Sequence, residues 1–229
     1  MSKSGKTPIV ILNYKTYLES TGKNAIKLTE YVQEVNDTTG IKMGVAAQTI
    51  DITKILDNEN IDIPIYAQHT DPITPGSHTG HVLPEALVEY GVSGTLINHS
   101  EKRMLLADIG QVTTIMKEMG LKSIICTNDV ATSAAVASFN PDYIAVEPPE
   151  LIGTGIPVSK ANPEIVSGTV NEIHKINENI PVLCGAGIST GEDMVAARDL
   201  GSDGVLLASG IIKADNQKQA LLDLVELVK

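Results

Sequence analysis

Ile9-Val10-Ile11-Leu12, followed at once by Asn13-Tyr14-Lys15, is the stretch that decides the fold. Four apolar residues in a row, rich in Ile and Val, read as a strand buried on both faces, as parallel strands are. In an open doubly wound sheet the first strand runs into a glycine-rich turn and a helix. Asn13-Tyr14-Lys15 contains no glycine, which argues for a closed sheet instead. Outward from this run the same unit recurs. Short apolar stretches stand at 43–47, 63–67, 94–97, 123–126, 143–146, 182–184 and 205–208, with helical stretches between them. Ala25, Leu28, Val32 and Val35 form one apolar stripe. Val112, Ile115, Met116 and Met119 form a second, and Leu221, Leu224, Val225 and Val228 a third, each at helical spacing. Asn162-Pro163-Glu164 reads as a helix start, with Asn162 as N-cap. Gly40, Gly91, Gly120 and Gly201 read as stops. Eight such units average about 29 residues, the size of a βα repeat. Eight parallel strands alternating with helices close into a (β/α)8 TIM barrel, a single α/β domain spanning 1–229.

Composition narrows the function. The 229 residues carry 17 Lys plus Arg against 28 Asp plus Glu, a net charge of −11. That acidic balance excludes a duplex nucleic-acid binder, which needs many phosphate-neutralising cations. One Phe and no Trp leave little for stacking bases. The run 9–12 is too short for a signal core or a membrane span. Cys126 and Cys184 are too few for a disulfide scaffold, and they lack metal-site spacing. A reducing cytoplasm and buried, inert thiols are expected.

In barrels of this kind reactive groups lie at the carboxyl ends of the strands. Those ends carry Asn13 and Lys15, Gln48, His69, Asn98 and His99, Thr127, Glu147, Gly185-Ala186-Gly187 and Ala208-Ser209. A lysine, a histidine and a glutamate therefore meet two small-residue turns at one mouth. That set suits acid–base chemistry on a phosphorylated substrate.

Four motifs carry a resemblance: Asn13-x-Lys15, Asn98-His99-Ser100-Glu101-Lys102-Arg103, Gly76-x-x-Thr79-Gly80, and Glu147-Pro148 followed by Ile152-Gly153-Thr154-Gly155. Each sits after its own strand, and together they span nearly the whole chain. The sequence resembles the triosephosphate isomerase family, and the compact length with Pro148-Pro149-Glu150-Leu151 resembles its archaeal branch. The resemblance implies interconversion of dihydroxyacetone phosphate and D-glyceraldehyde 3-phosphate through an enediolate, in glycolysis, gluconeogenesis and the pentose shunt. It implies Glu147 as base, His99 as electrophile and Lys15 as fixed positive charge. Asn13 would orient the substrate, and Ser100 and Glu101 would support, Glu101 as the ion-pair partner of Lys15. Phosphate contacts are implied at the backbone of Ile152, Gly187, Ala208 and Ser209. No metal or organic cofactor is implied, and no nucleic-acid or membrane partner. The partner implied is a second copy of the chain, in a dimer or tetramer, docked through the loop 71–80.

Physical chemistry adds three expectations. A helix starting at Ser100-Glu101-Lys102 would hold His99 neutral, an effect established for this family. Pro148-Pro149 and Gly153-x-Gly155 would hinge a lid over the site, as is also established for the family. A helix from Ser189-Thr190 would turn its amino end toward a phosphate. Three positions depart from the common family pattern. Cys184 and Gly187 stand where a Tyr and a Ser are usual, and His81 stands where an acid is common. Two rivals share the barrel: another phosphate-binding lyase or synthase, and a phosphometabolite binder without turnover.

Overall fold

The computed structural model describes residues 7–148, 151 and 156–228. Eight strands form a closed, wholly parallel barrel in which each strand pairs with its sequence neighbour and β8 returns to β1. In chain order the elements are β1 Ile9–Asn13, α1 Lys23–Thr39, β2 Lys42–Ala47, α2 Thr49–Leu56, β3 Ile65–Ala67, α3 Pro84–Glu89, β4 Gly94–Ile97, α4 Leu106–Glu118 and β5 Lys122–Thr127. Then follow α5 Val130–Ala137, β6 Tyr143–Val146, α6 Val158–Ala161, α7 Pro163–Ile176, β7 Val182–Gly185, α8 Gly191–Asp199, β8 Gly204–Leu207, α9 Ser209–Ile212 and α10 Gln217–Glu226.

The two-residue period of a strand splits the apolar residues between two cores. Ile11, Ala46, Leu96, Ile124, Ala145, Leu183 and Leu206 fill the barrel. Val10, Leu12, Val45, Ile97, Ile125 and Val182 face outward against the helices. The α1 and α10 stripes are buried as read, and each fully covered Leu or Val adds about 1.5–3 kcal/mol. In α4, Val112 and Met116 are buried, with Ile109 and Thr113 completing the face; Ile115 and Met119 sit at its margin. Gly40, Gly91, Gly120 and Gly201 all take positive φ, as helix stops should.

Several strand bounds differ from the sequence reading by one residue, and four further differences stand out. The third strand starts at Ile65 rather than 63, because Pro64 has no N–H for the ladder and the Ile63 amide donates to the Gln33 side chain at 3.0 Å. The eighth strand ends at Leu207, and Ala208 turns off as the N-cap of α9. Asn162 holds the N-cap position of α7 but makes no side-chain capping bond. The helix expected at Ser100-Glu101-Lys102 is a single turn, closed by the Lys102 amide on the His99 carbonyl at 2.8 Å; α4 starts only at Leu106. Asn98 explains the delay, since its Oδ1 accepts the Met104 amide at 3.0 Å and its carbonyl accepts from Arg103 at 3.2 Å. Among the described residues no helix is long and apolar enough to cross a membrane.

Candidate active site

Lys15 follows β1 in a left-handed conformation, φ 46°, which costs a lysine free energy and needs outside support. Its amide donates to Asn13 Oδ1 at 3.0 Å, and its carbonyl accepts from Gln68 Nε2 at 2.9 Å. The same Gln68 amide reaches Asn13 Oδ1 and the Ala46 carbonyl, so it ties together the ends of β1, β2 and β3. The Lys15 ammonium pairs with Glu101 Oε1 at 2.9 Å and is 12% exposed.

His99 follows β4 and is buried. Its Nδ1 accepts the Glu101 amide at 3.2 Å, so the ring carries its proton on Nε2. The single turn after His99 thus fixes the orientation of the ring.

Glu147 follows β6 and is also buried. Its Oε2 lies 3.4 Å from His99 Nε2, yet the two are misaligned, and among the described residues neither atom has a hydrogen-bond partner. Burial lifts its carboxyl above the ordinary glutamate range, against the opposing pull of His99, Lys15 and the Cys126 thiol. Gly185 makes this position available: a Cβ there would stand 2.8 Å from Glu147 Cδ and 2.9 Å from Oε1. Both thiols stay protonated. Burial, with Glu147 nearby, raises Cys126, and burial pushes Cys184 up to about 12.

These groups border two adjoining hollows at the carboxyl end of the barrel. One, about 180 Å³, is lined by Lys15, Glu147, Gly187, Ser189, Ala208 and Ser209 among others. The other, about 460 Å³, is lined by His99, Gln68, His69 and Lys102, and shares Asn13, Lys15 and Glu101 with the first. The amino end of α8 does not serve the hollow as the sequence suggested. Thr190 and Asp193 form a capping box, and Asp193 Oδ2 accepts both the Ser189 and Thr190 amides at 3.1 Å. The helix that starts at the hollow is α9, whose first intrahelical bond runs from Ile211 to Ala208. Ile152, and the lid residues 149, 150 and 153–155, lie outside the described residues.

Gln68 and Asn98 are the supporting residues that strand-end reading passed over in role. Asn98, at φ 60°, donates to the Cys126 carbonyl at 3.0 Å and so fastens the His99 turn to β5. A polar residue directly after a strand was the available signal for both. Among the described residues no three His, Cys, Asp or Glu side chains are grouped to hold a metal ion.

Residues 8–228 match the family model described as Triosephosphate isomerase. The chain is 61% identical over 219 residues to a triosephosphate isomerase of Methanobrevibacter smithii, covering 96% of this chain and 98% of that protein. It is 57% identical over 220 residues to that of Methanocaldococcus jannaschii, covering 96% and 100%. It is 55% identical over 228 residues to that of Methanobacterium bryantii, covering the whole of both.

Proposed function

The chain belongs to the triosephosphate isomerase family, and on that premise we propose that it interconverts dihydroxyacetone phosphate and D-glyceraldehyde 3-phosphate with Glu147, His99 and Lys15 as its reacting set. The observation that carries the assignment is the buried, unsatisfied pair of His99 Nε2 and Glu147 Oε2 at 3.4 Å, beside the Lys15 ammonium. Buried polar atoms are normally bonded. Two such atoms, on residues that line the two adjoining hollows, suit a substrate that spans both and supplies the missing partners.

The chemistry follows from these positions. The Glu147 carboxylate takes a proton from the carbon beside the substrate carbonyl, and that C–H electron pair becomes the C=C bond of an enediolate. The charge arriving on oxygen meets the Nε2–H of His99 and the Lys15 ammonium, donors already in place. Glu147 then returns its proton to the neighbouring carbon, and the oxygen-bound proton shifts at His99, so the product differs from the substrate only in where two hydrogens sit. Raised basicity helps Glu147, because burial places its proton affinity nearer that of the weak carbon acid. The phosphate faces the backbone of Gly187, Ala208 and Ser209, the arrangement barrels use after strands seven and eight. Amide donors let a protein of charge −11 hold a dianion without a cluster of cations.

Self-association is part of the same proposal. The tip of the 71–80 loop is exposed, while its base is closed by Asp71 and Val82 through bonds of 3.0 and 2.7 Å. Leu18, Ile50 at the start of α2 and Leu105 before α4 also stand exposed, each on the segment that follows a strand. A coupled assay with glyceraldehyde 3-phosphate tests the reaction. Steady conversion supports it, and no turnover by folded protein refutes it. In that role the enzyme would serve glycolysis and gluconeogenesis.

A further inference from the structure

Asp193 is an anion placed behind a loop that should welcome anions. It is 3% exposed, and its Oδ2 holds the Ser189 and Thr190 amides at the back of the 186–190 turn. The front of that turn, Ala186 to Ile188, lines the smaller hollow. A buried carboxylate there would repel a phosphate bound a few residues away. Lys160 answers it: its ammonium, on α6, lies 2.8 Å from Asp193 Oδ1. The 186–190 turn is also pressed against the residues just before α6, since a Cβ at Gly187 would stand 2.7 Å from Pro157 N. Burial pushes the Asp193 carboxyl up, but Lys160 and the two amides more than reverse this and hold it below the ordinary aspartate value. The carboxylate is therefore charged, and among the described residues its charge is answered by the partly exposed Lys160.

We propose that Lys160 and Asp193 form a positioning pair for the phosphate end of the substrate. Asp193 shapes the turn through its amides, and Lys160 cancels the charge that this shaping introduces. The proposal rests on the reading of the hollow as a phosphate site. Neither residue touches the reacting atoms, so their loss shifts binding rather than chemistry.

The test compares wild type with K160M, K160R and the K160M/D193N double variant. Inorganic phosphate affinity is read by calorimetric titration, and KM and kcat by turnover. For K160M the expected result is a phosphate Kd and a KM raised about five- to tenfold, with kcat within about twofold. K160R should retain wild-type values. The double variant should recover most of the phosphate affinity, since the carboxamide that D193N introduces can still accept the two amides through its oxygen but carries no charge. Unchanged phosphate affinity in K160M overturns the proposal, as does a loss that D193N fails to reverse. If wild type binds phosphate but turns over no triose, the isomerase reading falls while the titration still judges the pair.

Discussion

Replacing Gly185 by Ala tests the geometry of the base without removing any functional group. Gly185 ends β7, and its backbone lies outside the left-handed region, so Ala is tolerated there on backbone grounds. The added Cβ would stand 2.8 Å from Glu147 Cδ and 2.9 Å from its Oε1, and closer still to Cγ. Unbonded carbons settle at about 3.5–4.0 Å, so the carboxylate must retreat by roughly 1 Å. A misplacement of that size can cost about 100-fold in rate, or about 2.7 kcal/mol of barrier. The phosphate-facing backbone of Gly187, Ala208 and Ser209 lies on other residues, so KM should stay within about threefold. The assay is steady-state isomerisation coupled to NADH oxidation by glycerol 3-phosphate dehydrogenase, with phosphate titration as a binding control. A folded Gly185→Ala protein whose kcat lies within about threefold of wild type would refute the placement of Glu147 as base.

Glu147→Gln should abolish turnover and stabilise the fold. Because the folded-state pKa of Glu147 is raised, its contribution to stability is fully present below the unfolded pKa and lost as pH rises through the folded one. Thermal melts at neutral pH should therefore rise by at least about 2 °C in Glu147→Gln, and the gain should shrink toward pH 4. By the same shift, wild-type kcat/KM should fall on acidification earlier than an ordinary glutamate would allow, as a pH–rate profile will read. Lys15→Met should lower kcat and raise KM together, costing about 100- to 1000-fold in kcat/KM, because the ammonium meets charge in substrate and transition state alike. Tyr14→Phe should cost about 1 kcal/mol in denaturant unfolding without touching turnover, since the fully buried Tyr14 hydroxyl bonds Thr29 Oγ1 at 2.8 Å.

The barrel was legible because its signals are local. Strand runs, helical stripes and terminal glycines are each set by neighbouring residues, and strand bounds moved by no more than two residues, with Pro64 and Ala208 behind two of the shifts. The placement of Lys15, His99 and Glu147 at one mouth followed from strand ends alone, given the closed topology. What stayed hidden depends on partners far apart in sequence. Gln68 holding the Lys15 backbone spans 53 residues, and Asn98 reaching Cys126 spans 28. No periodicity reports such bonds. The turn after His99 misled for a related reason: Ser100-Glu101-Lys102 has a helix-start composition, but Asn98 captures the Met104 amide and postpones the helix. The amino end of α8 was misjudged because Asp193, three residues into the helix, takes the Ser189 and Thr190 amides itself.

Hydrogen exchange at the carbon beside the carbonyl reads the proposed proton transfer without relying on net turnover. Dihydroxyacetone phosphate is incubated with enzyme in deuterium oxide and followed by proton NMR. A single carboxylate on one face of the substrate predicts that wild type replaces one of the two hydrogens on that carbon and leaves the other. Glu147→Gln, with phosphate affinity intact, should leave both in place. Exchange by Glu147→Gln at the wild-type rate, or loss of both hydrogens alike in wild type, would contradict the account.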